Sequence, residues 1–214
     1  MYKRQKYGGA GRFFDSVMTI VENYPPCVLN ALMNHIGTHD TERAITRLAG
    51  ESADGKDRQW QHAHNNLPDY DYLRGVSMMK MASLIQYTLP GVPSLYYGDE
   101  IGMQGMRDPF NRGCYDWDNQ NTELLRWYKR LGEIRKGCKA FISGEFNIVY
   151  SSHNTIAYTR NCDENSVLVA VNNSDVPADI YVGSEWNNSY NFFDEKCVNG
   201  TIHLEPYRYA LLSR

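Results

Sequence analysis

Apolar positions along this chain follow two regimes. Through about residue 140 they recur at helical spacing, interrupted by two short, nearly unbroken apolar runs. From Arg12 to Tyr24, Phe13, Val17, Ile20 and Val21 share one helical face, after a flexible start at Gly8-Gly9-Ala10-Gly11. Pro25-Pro26 ends that helix, because proline has no N–H with which to continue the ladder. Val28 to Ile36 reads as a buried strand, and Glu42 to Leu48 as a short helix. Gly50 to Asp69 is polar and reads as a long surface loop, a length at which loops tend to be functional or mobile. Asp69 or Asp71 can cap the next helix, striped by Leu73, Val76, Met79, Ala82, Ile85 and Leu89 and stopped by Pro90-Gly91. Val92 to Tyr97 reads as a second buried strand, and Gly98 to Gln120 as irregular. Asn121 or Thr122 opens a third helix, with Leu124, Leu125, Tyr128, Leu131 and Ile134 inward and Gly137 as its C-terminal cap. Helix, strand, helix, strand, helix is the order of parallel strands joined by crossover helices.

The period shortens after Phe141. Phe146–Ser152, Thr155–Asn161, Ser166–Asn172, Ala178–Val182, Tyr190–Phe193, Gly200–Leu204 and Tyr207–Ser213 are strand candidates. Turn clusters such as Ser152-His153-Asn154 and Asp163-Glu164-Asn165 separate them. Short strands at such spacing predict an antiparallel sandwich. The expected fold class is therefore α/β plus β, with residues 1–140 in the first part, residues 141–214 in the second, and the boundary near Lys139 to Ser143.

Composition narrows the function classes. The 214 residues suffice for one medium domain or two small ones, and 42% hydrophobic with 22% charged residues is ordinary for a globular protein. A net charge of -3 gives no reason to expect nucleic acid or an anionic membrane as partner. No run of about 18 apolar residues predicts a membrane span. The start, Met1 to Tyr7, has no apolar stretch behind it and does not read as a signal peptide, so no compartment is assigned. Five cysteines without CxxC spacing argue against zinc and read as mostly reduced and structural. His62 and His64, at i, i+2, read as solvated rather than as metal ligands, and no cofactor is implied. The sixteen Tyr and four Trp suit sugar stacking and sheet cores equally.

One stretch draws the eye chemically: Asn34-His35-Ile36-Gly37-Thr38-His39-Asp40-Thr41-Glu42-Arg43, just past the first apolar run. A His-Asp pair past a buried strand is where an α/β enzyme holds chemical groups. The plainer reading is that Asp40 caps the helix beginning near Thr41.

Four stretches together resemble the α-amylase superfamily of glycoside hydrolases, and within it the neopullulanase, cyclomaltodextrinase and maltogenic-amylase branch. Gly37 to Arg43 looks like the family's fourth conserved region. Leu89 to Met103, reading LPGVPSLYYGDEIGM, looks like its last barrel strand and the following loop. Asp108-Pro109-Phe110-Asn111-Arg112 looks like its sugar-holding segment, and Leu131 to Lys136 like the last barrel helix before a C-terminal sandwich. Many relatives carry proline where this chain has Glu42.

The resemblance implies the C-terminal portion of a (β/α)8 TIM barrel, strands seven and eight with flanking helices, followed by the β-sandwich. It implies Asp40 as the carboxylate that stabilises the transition state, with His39, Asp108 and Arg112 binding the sugar. Arg43 would be a structural ion-pair partner, and Asp99 and Glu100 would shape a loop rather than serve as acid and nucleophile. No segment resembles the family's nucleophile or general-acid regions. The chain thus reads as part of a retaining α-glucan hydrolase, inactive alone, with α-glucan oligosaccharides or a starch-like polysaccharide as partner and self-association through exposed barrel edges. A non-catalytic carbohydrate-binding or interaction module, and part of a transglycosylase of the same fold, are the alternatives.

Overall fold

A computed structural model describes residues 9–194 and 197–214. The expectations at residues 1–7 and at Gly8 lie outside the described residues. In chain order the elements begin with α1 (Ala10–Asn23), α2 (Pro26–Leu29), β1 (Met33–Asn34), α3 (Ala44–Ala49), α4 (Arg58–Ala63) and α5 (Asp69–Thr88). Next come β2 (Val92–Pro93), α6 (Thr122–Gly137), α7 (Ala140–Ser143), β3 (Glu145–Ser152), β4 (Thr155–Asn161) and β5 (Ser166–Asn172). The chain ends with β6 (Ala178–Tyr181), β7 (Ser189–Asn191), β8 (Cys197–Val198), β9 (Thr201–Leu204) and β10 (Arg208–Ser213). Two compact units result, one built from Met33–Gln86 and Pro93–Glu133, the other from residues 9–32, Tyr87–Val92 and Ile134–Arg214.

In the first unit α5 is the central helix. It begins at Asp69, so Asp69 and Asp71 sit in its first turn, where the helix dipole favours anions, rather than capping it. Its buried residues include Gly75, Val76, Met79, Met81, Ser83, Leu84 and Gln86, which spread over more than one face. The single stripe expected from the sequence is therefore incomplete, and Leu73 is 67% exposed. Helix α3 lies against α5 at Gly75, where an added Cβ would meet Ile45 Cγ1 at 2.8 Å and Ala49 Cβ at 3.1 Å. Helix α6 packs through Leu124, Trp127, Tyr128 and Leu131. The buried Ser83 hydroxyl donates to the Met79 carbonyl (2.7 Å) and accepts from Trp127 Nε1 (2.9 Å), so neither polar group is stranded. The Asn121 side chain caps α6 by accepting from the Leu124 N–H at 3.0 Å.

The two apolar runs become only short strands. Val28 lies in α2, and β1 and β2 are two residues each. They run in the same direction, with the Ser94 N–H donating to Asn34 and the Val92 N–H to Leu32, both at 2.7 Å. Gln86 Nε2 donates to the carbonyls of Asn34 (2.9 Å) and Ser94 (2.8 Å). The expected burial fails, since Met33 is 68%, Val92 46% and Leu95 40% exposed. Each strand has one partner in a two-stranded sheet, so its other edge and outer side chains have nothing described to cover them. The stretch from Gly50 to Asp69 is also not wholly a loop. Asp57 accepts from the Trp60 N–H at 2.7 Å and starts α4 inside it.

In the second unit six strands form an antiparallel sheet in the order β3-β4-β5-β10-β7-β8, and β6 and β9 form a second sheet. Ala157, Leu168, Ala170, Ala210 and Leu212 of the large sheet pack with Ile180, Ile202 and Leu204 of the small one and with Trp186. This is the antiparallel two-sheet core that the strand spacing predicted. Strands β4 and β5 are nonetheless buried along nearly their whole length rather than at alternate positions. The reason is that the large sheet's other side is covered too. Phe14 of α1 lies 6.3 Å from the Phe146 ring and 6.4 Å from the Tyr158 ring. Arg160 is buried there, with Nε donating to Gly144 (3.0 Å) and Nη1 to Thr88 (2.9 Å); burial lowers its pKa to about 10. Among the described residues no helix is long and apolar enough to cross a membrane.

Candidate functional site

The turn after β1 is held in place from residues far along the chain. Asn111 is fully buried and its Nδ2 donates to the carbonyls of His39 (2.8 Å) and Thr41 (2.7 Å). Arg112 Nε donates to the same His39 carbonyl at 3.2 Å, and the Arg43 N–H to Gly105 at 2.9 Å. The Asp40 N–H donates to Thr38 Oγ1 at 3.3 Å. Apart from the Thr38 hydroxyl, these bonds use the backbone of the turn and leave the His39 and Asp40 side chains outside.

The side chains of His39 and Asp40 are 66% and 72% exposed, and His39 Nε2 lies 3.2 Å from Asp40 Oδ1. Arg112 Nη2 lies 3.9 Å from the same oxygen, while Arg112 Nε lies 3.4 Å from Asp108 Oδ1. The four residues singled out from the sequence therefore meet around one guanidinium. Exposed ion pairs of this kind contribute only about 0–1 kcal/mol each. Their chemistry suits a polyhydroxylated ligand: carboxylates accept from hydroxyls, the guanidinium donates to them, and such bonds are charge-assisted.

Asp40 does not cap a helix. Helix α3 begins at Ala44, its N-cap position is Arg43, and no side chain caps it. The turn is fixed by Asn111 and Arg112 instead, which frees the Asp40 carboxylate. Glu42 is buried and pairs with Arg107 Nε at 3.4 Å. Arg107 also binds Asp54.

Beneath the turn lie two buried ionisable residues, Arg43 and Asp99. Arg43 is wholly buried, its Nη1 donates to the Tyr97 carbonyl, and its guanidinium lies 4.5 Å and 4.4 Å from the Tyr96 and Tyr97 ring centres. Asp99 is 1% exposed, and no well-formed hydrogen bond reaches either carboxylate oxygen. Burial pushes its pKa up to about 7; Arg43 pulls it back, Glu100 adds to the rise, and the Ala44 amide opposes it. A Cβ on Gly37 would lie 2.5 Å from Asp99 Oδ2, so only glycine lets the His39-Asp40 loop pass so close. The Asp99-Glu100 pair lies in a 3-10 turn between Gly98 (φ 87) and Gly102 (φ 73). Glu100 turns back to accept from the Gly98 N–H at 2.9 Å.

Elsewhere the outcome is mixed. His64 stacks on Trp60 at 4.0 Å and its Nδ1–H donates to the Trp60 carbonyl at 2.8 Å, while His62 lies edge-on to Phe110 at 5.8 Å. Among the described residues no group of His, Cys, Asp or Glu could hold a metal. Cys27, Cys114, Cys138 and Cys162 are free, and Cys197 lies outside the described side chains. Trp117 is 76% exposed beside Tyr115 (4.6 Å). Sequence reading missed Asn111 as the anchor of the turn and Asp57 as a helix cap. The latter had a readable signal, an Asp ahead of the helix-forming Arg58-Gln59-Trp60.

No family model matches the chain. It is 33% identical over 151 residues to an amylopullulanase of Thermoanaerobacter thermohydrosulfuricus, covering 71% of this chain and 10% of that protein. It is 31% identical over 175 residues to a cyclomaltodextrinase of Geobacillus thermopakistaniensis, covering 80% of this chain and 26% of that protein. The chain thus spans 10% and 26% of the length of these two relatives. In fold it matches the α-amylase of Geobacillus thermoleovorans, solved with acarbose, at a TM-score of 0.74 and 21% identity, over 94% of this chain and 42% of that one.

Proposed function

We propose, from the premise that this chain belongs to the α-amylase family of glycoside hydrolases, that it is the C-terminal part of a retaining α-glucan hydrolase and supplies the carboxylate that stabilises the transition state. Residues 1–140 then correspond to barrel strands seven and eight with their helices, and residues 141–214 to the C-terminal sandwich. The observation that carries the reading is the Asp40 carboxylate, freed from any cap and held with His39, Arg112 and Asp108 in one exposed cluster.

Retaining hydrolysis needs a nucleophilic carboxylate and a general acid about 5–5.5 Å apart across the anomeric carbon. The transition state is oxocarbenium-like, with a flattened ring and growing positive charge. Asp40 contributes by gripping the sugar hydroxyls better in that geometry than in the ground state, which is differential binding. His39 donates to or accepts from the same sugar unit. Arg112 and Asp108 bind the neighbouring unit through charge-assisted bonds. Nothing in the sequence resembles the nucleophile or the acid, so this chain alone turns over no glycoside. The uncovered edges of β1 and β2, with Met33 and Leu95 exposed beside them, make self-association part of the same proposal.

The test is calorimetry of the chain with maltotriose, paired with an assay for released sugar. Binding heat without release is expected, and Asp40→Asn should weaken binding about tenfold, the loss of one charge-assisted contact. Unchanged affinity in the variant would remove Asp40 from the site. Turnover comparable to an intact enzyme would overturn the fragment reading.

A further inference from the structure

Two free thiols of the second unit, Cys138 and Cys162, stand outside the site described above. Cys138 follows the last residue of α6, and Cys162 follows the last residue of β4, at the turn into β5. One side chain bridges the gap between them. Asn165 Oδ1 accepts from the Cys138 thiol at 3.3 Å, from the Cys162 thiol at 3.6 Å and from the Ala140 N–H at 3.0 Å. The two sulfurs thus converge on one oxygen and are no farther apart than the sum of their distances to it. The turn is held from its backbone as well, since the Cys162 N–H donates to the Asn165 carbonyl at 3.0 Å.

The surroundings carry positive charge. The buried Arg160 guanidinium acts on both thiols, and the Lys139 ammonium, paired with Glu164, acts on Cys162. An electropositive, partly exposed setting is where reactive cysteines sit. The two thiols are not equivalent. Cys162 is half-buried and open to a small reagent, whereas Cys138 is buried. Burial raises the Cys138 pKa; the Phe141 and Ala140 amides and Arg160 oppose the rise, and charge on Cys162 adds to it. Cys138 therefore stays protonated at neutral pH.

We propose that Cys138 and Cys162 are a reversible redox pair, which closes to a disulfide by exchange with a low-molecular-weight disulfide of the glutathione type. The pair goes beyond the function proposed above and does not depend on it. The Cys162 thiolate attacks one sulfur of the small disulfide, expels one thiolate and leaves a mixed disulfide. Cys138 then gives its proton to solvent, attacks Cys162 Sγ and expels the second thiolate. One protein disulfide forms and one small disulfide breaks. The cysteines lose two electrons and two protons, and two small thiols leave with them. The new bond ties the end of α6 to the β4–β5 turn and restrains the unfolded chain over the loop it closes.

The test incubates the whole chain, without denaturant, in glutathione buffers of graded oxidised-to-reduced ratio. Free thiols are then alkylated and the peptides mapped by mass spectrometry. A linked Cys138–Cys162 peptide pair lacking two hydrogens is expected, and this readout needs no variant. The thermal midpoint of the second unit, followed by circular dichroism, should rise by about 5 °C or more on closure and return when dithiothreitol is added. Cys138→Ser should trap glutathione on Cys162 as the mixed disulfide, whereas Cys162→Ser should leave Cys138 a free thiol. A link found only after urea would overturn the proposal. So would glutathione on the exposed Cys27 and Cys114 with Cys138 and Cys162 still thiols, or Cys162 paired with any other cysteine.

Discussion

Asp99 gives the sharpest physical test of how the site is built. Replacing it by asparagine keeps the shape of the protonated acid and removes its ability to ionise. In the folded chain its pKa rises from 3.8 to about 7, mainly through burial. In the unfolded chain it returns to 3.8. Between those values the folded state binds a proton that the unfolded state does not. Stability of the unit containing it must therefore fall as pH rises through this window, and the penalty is complete above about pH 7. At about 1.4 kcal/mol per unit the ceiling is about 4 kcal/mol, of which about 2–3 kcal/mol accrues between about pH 5 and about pH 8. Urea unfolding followed by tryptophan emission suits the purpose, because Trp60, Trp117 and Trp127 lie in the same unit as Asp99. Asp99→Asn should gain about 2–3 kcal/mol on the unaltered chain when the pH is raised from about 5 to about 8. A difference that stays constant with pH would show that Asp99 keeps an ordinary carboxylate pKa, and the account of a buried, incompletely bonded acid under the Gly37 turn would fail.

Two other outcomes follow from packing. Leu168→Ala removes a fully buried side chain from the core between the two sheets and should destabilise the second unit by about 2–5 kcal/mol, read from Trp186 in the same core; a loss below about 1 kcal/mol would mean that the core collapses around the gap. Light scattering should show a mass above the 24.6 kDa of one chain, falling on dilution. A single monomeric species at all concentrations would refute association through the β1 and β2 edges.

Much of the second unit was legible because its signals are local. Short apolar stretches separated by Ser-His-Asn and Asp-Glu-Asn clusters fall within a residue or two of β3, β4 and β5. Only β8 had no sequence counterpart. Helix α6 was legible for the same reason: its apolar face repeats at helical period and Asn121 caps it. The first unit was harder. An apolar run such as Val28 to Ile36 says that residues prefer to leave water; it does not supply the ladder partners that make a strand long or the layer that buries it.

By itself, then, the sequence determined the helices with clear periodicity and the sandwich strands, which depend on spacing and side-chain type that the chain carries locally. His39, Asp40, Asp108 and Arg112 were singled out by family resemblance rather than by spacing. Only the tertiary structure decided which groups are spoken for. Asn111 takes the carbonyls of His39 and Thr41 from some seventy residues away, so Asp40 is released from capping. Nothing in the local sequence tells that Arg43 and Asp99 are wholly buried in the fold, where desolvation raises the Asp99 pKa. The difference has one cause: hydrogen-bond partners and burial are properties of distant contacts, and no local pattern encodes them.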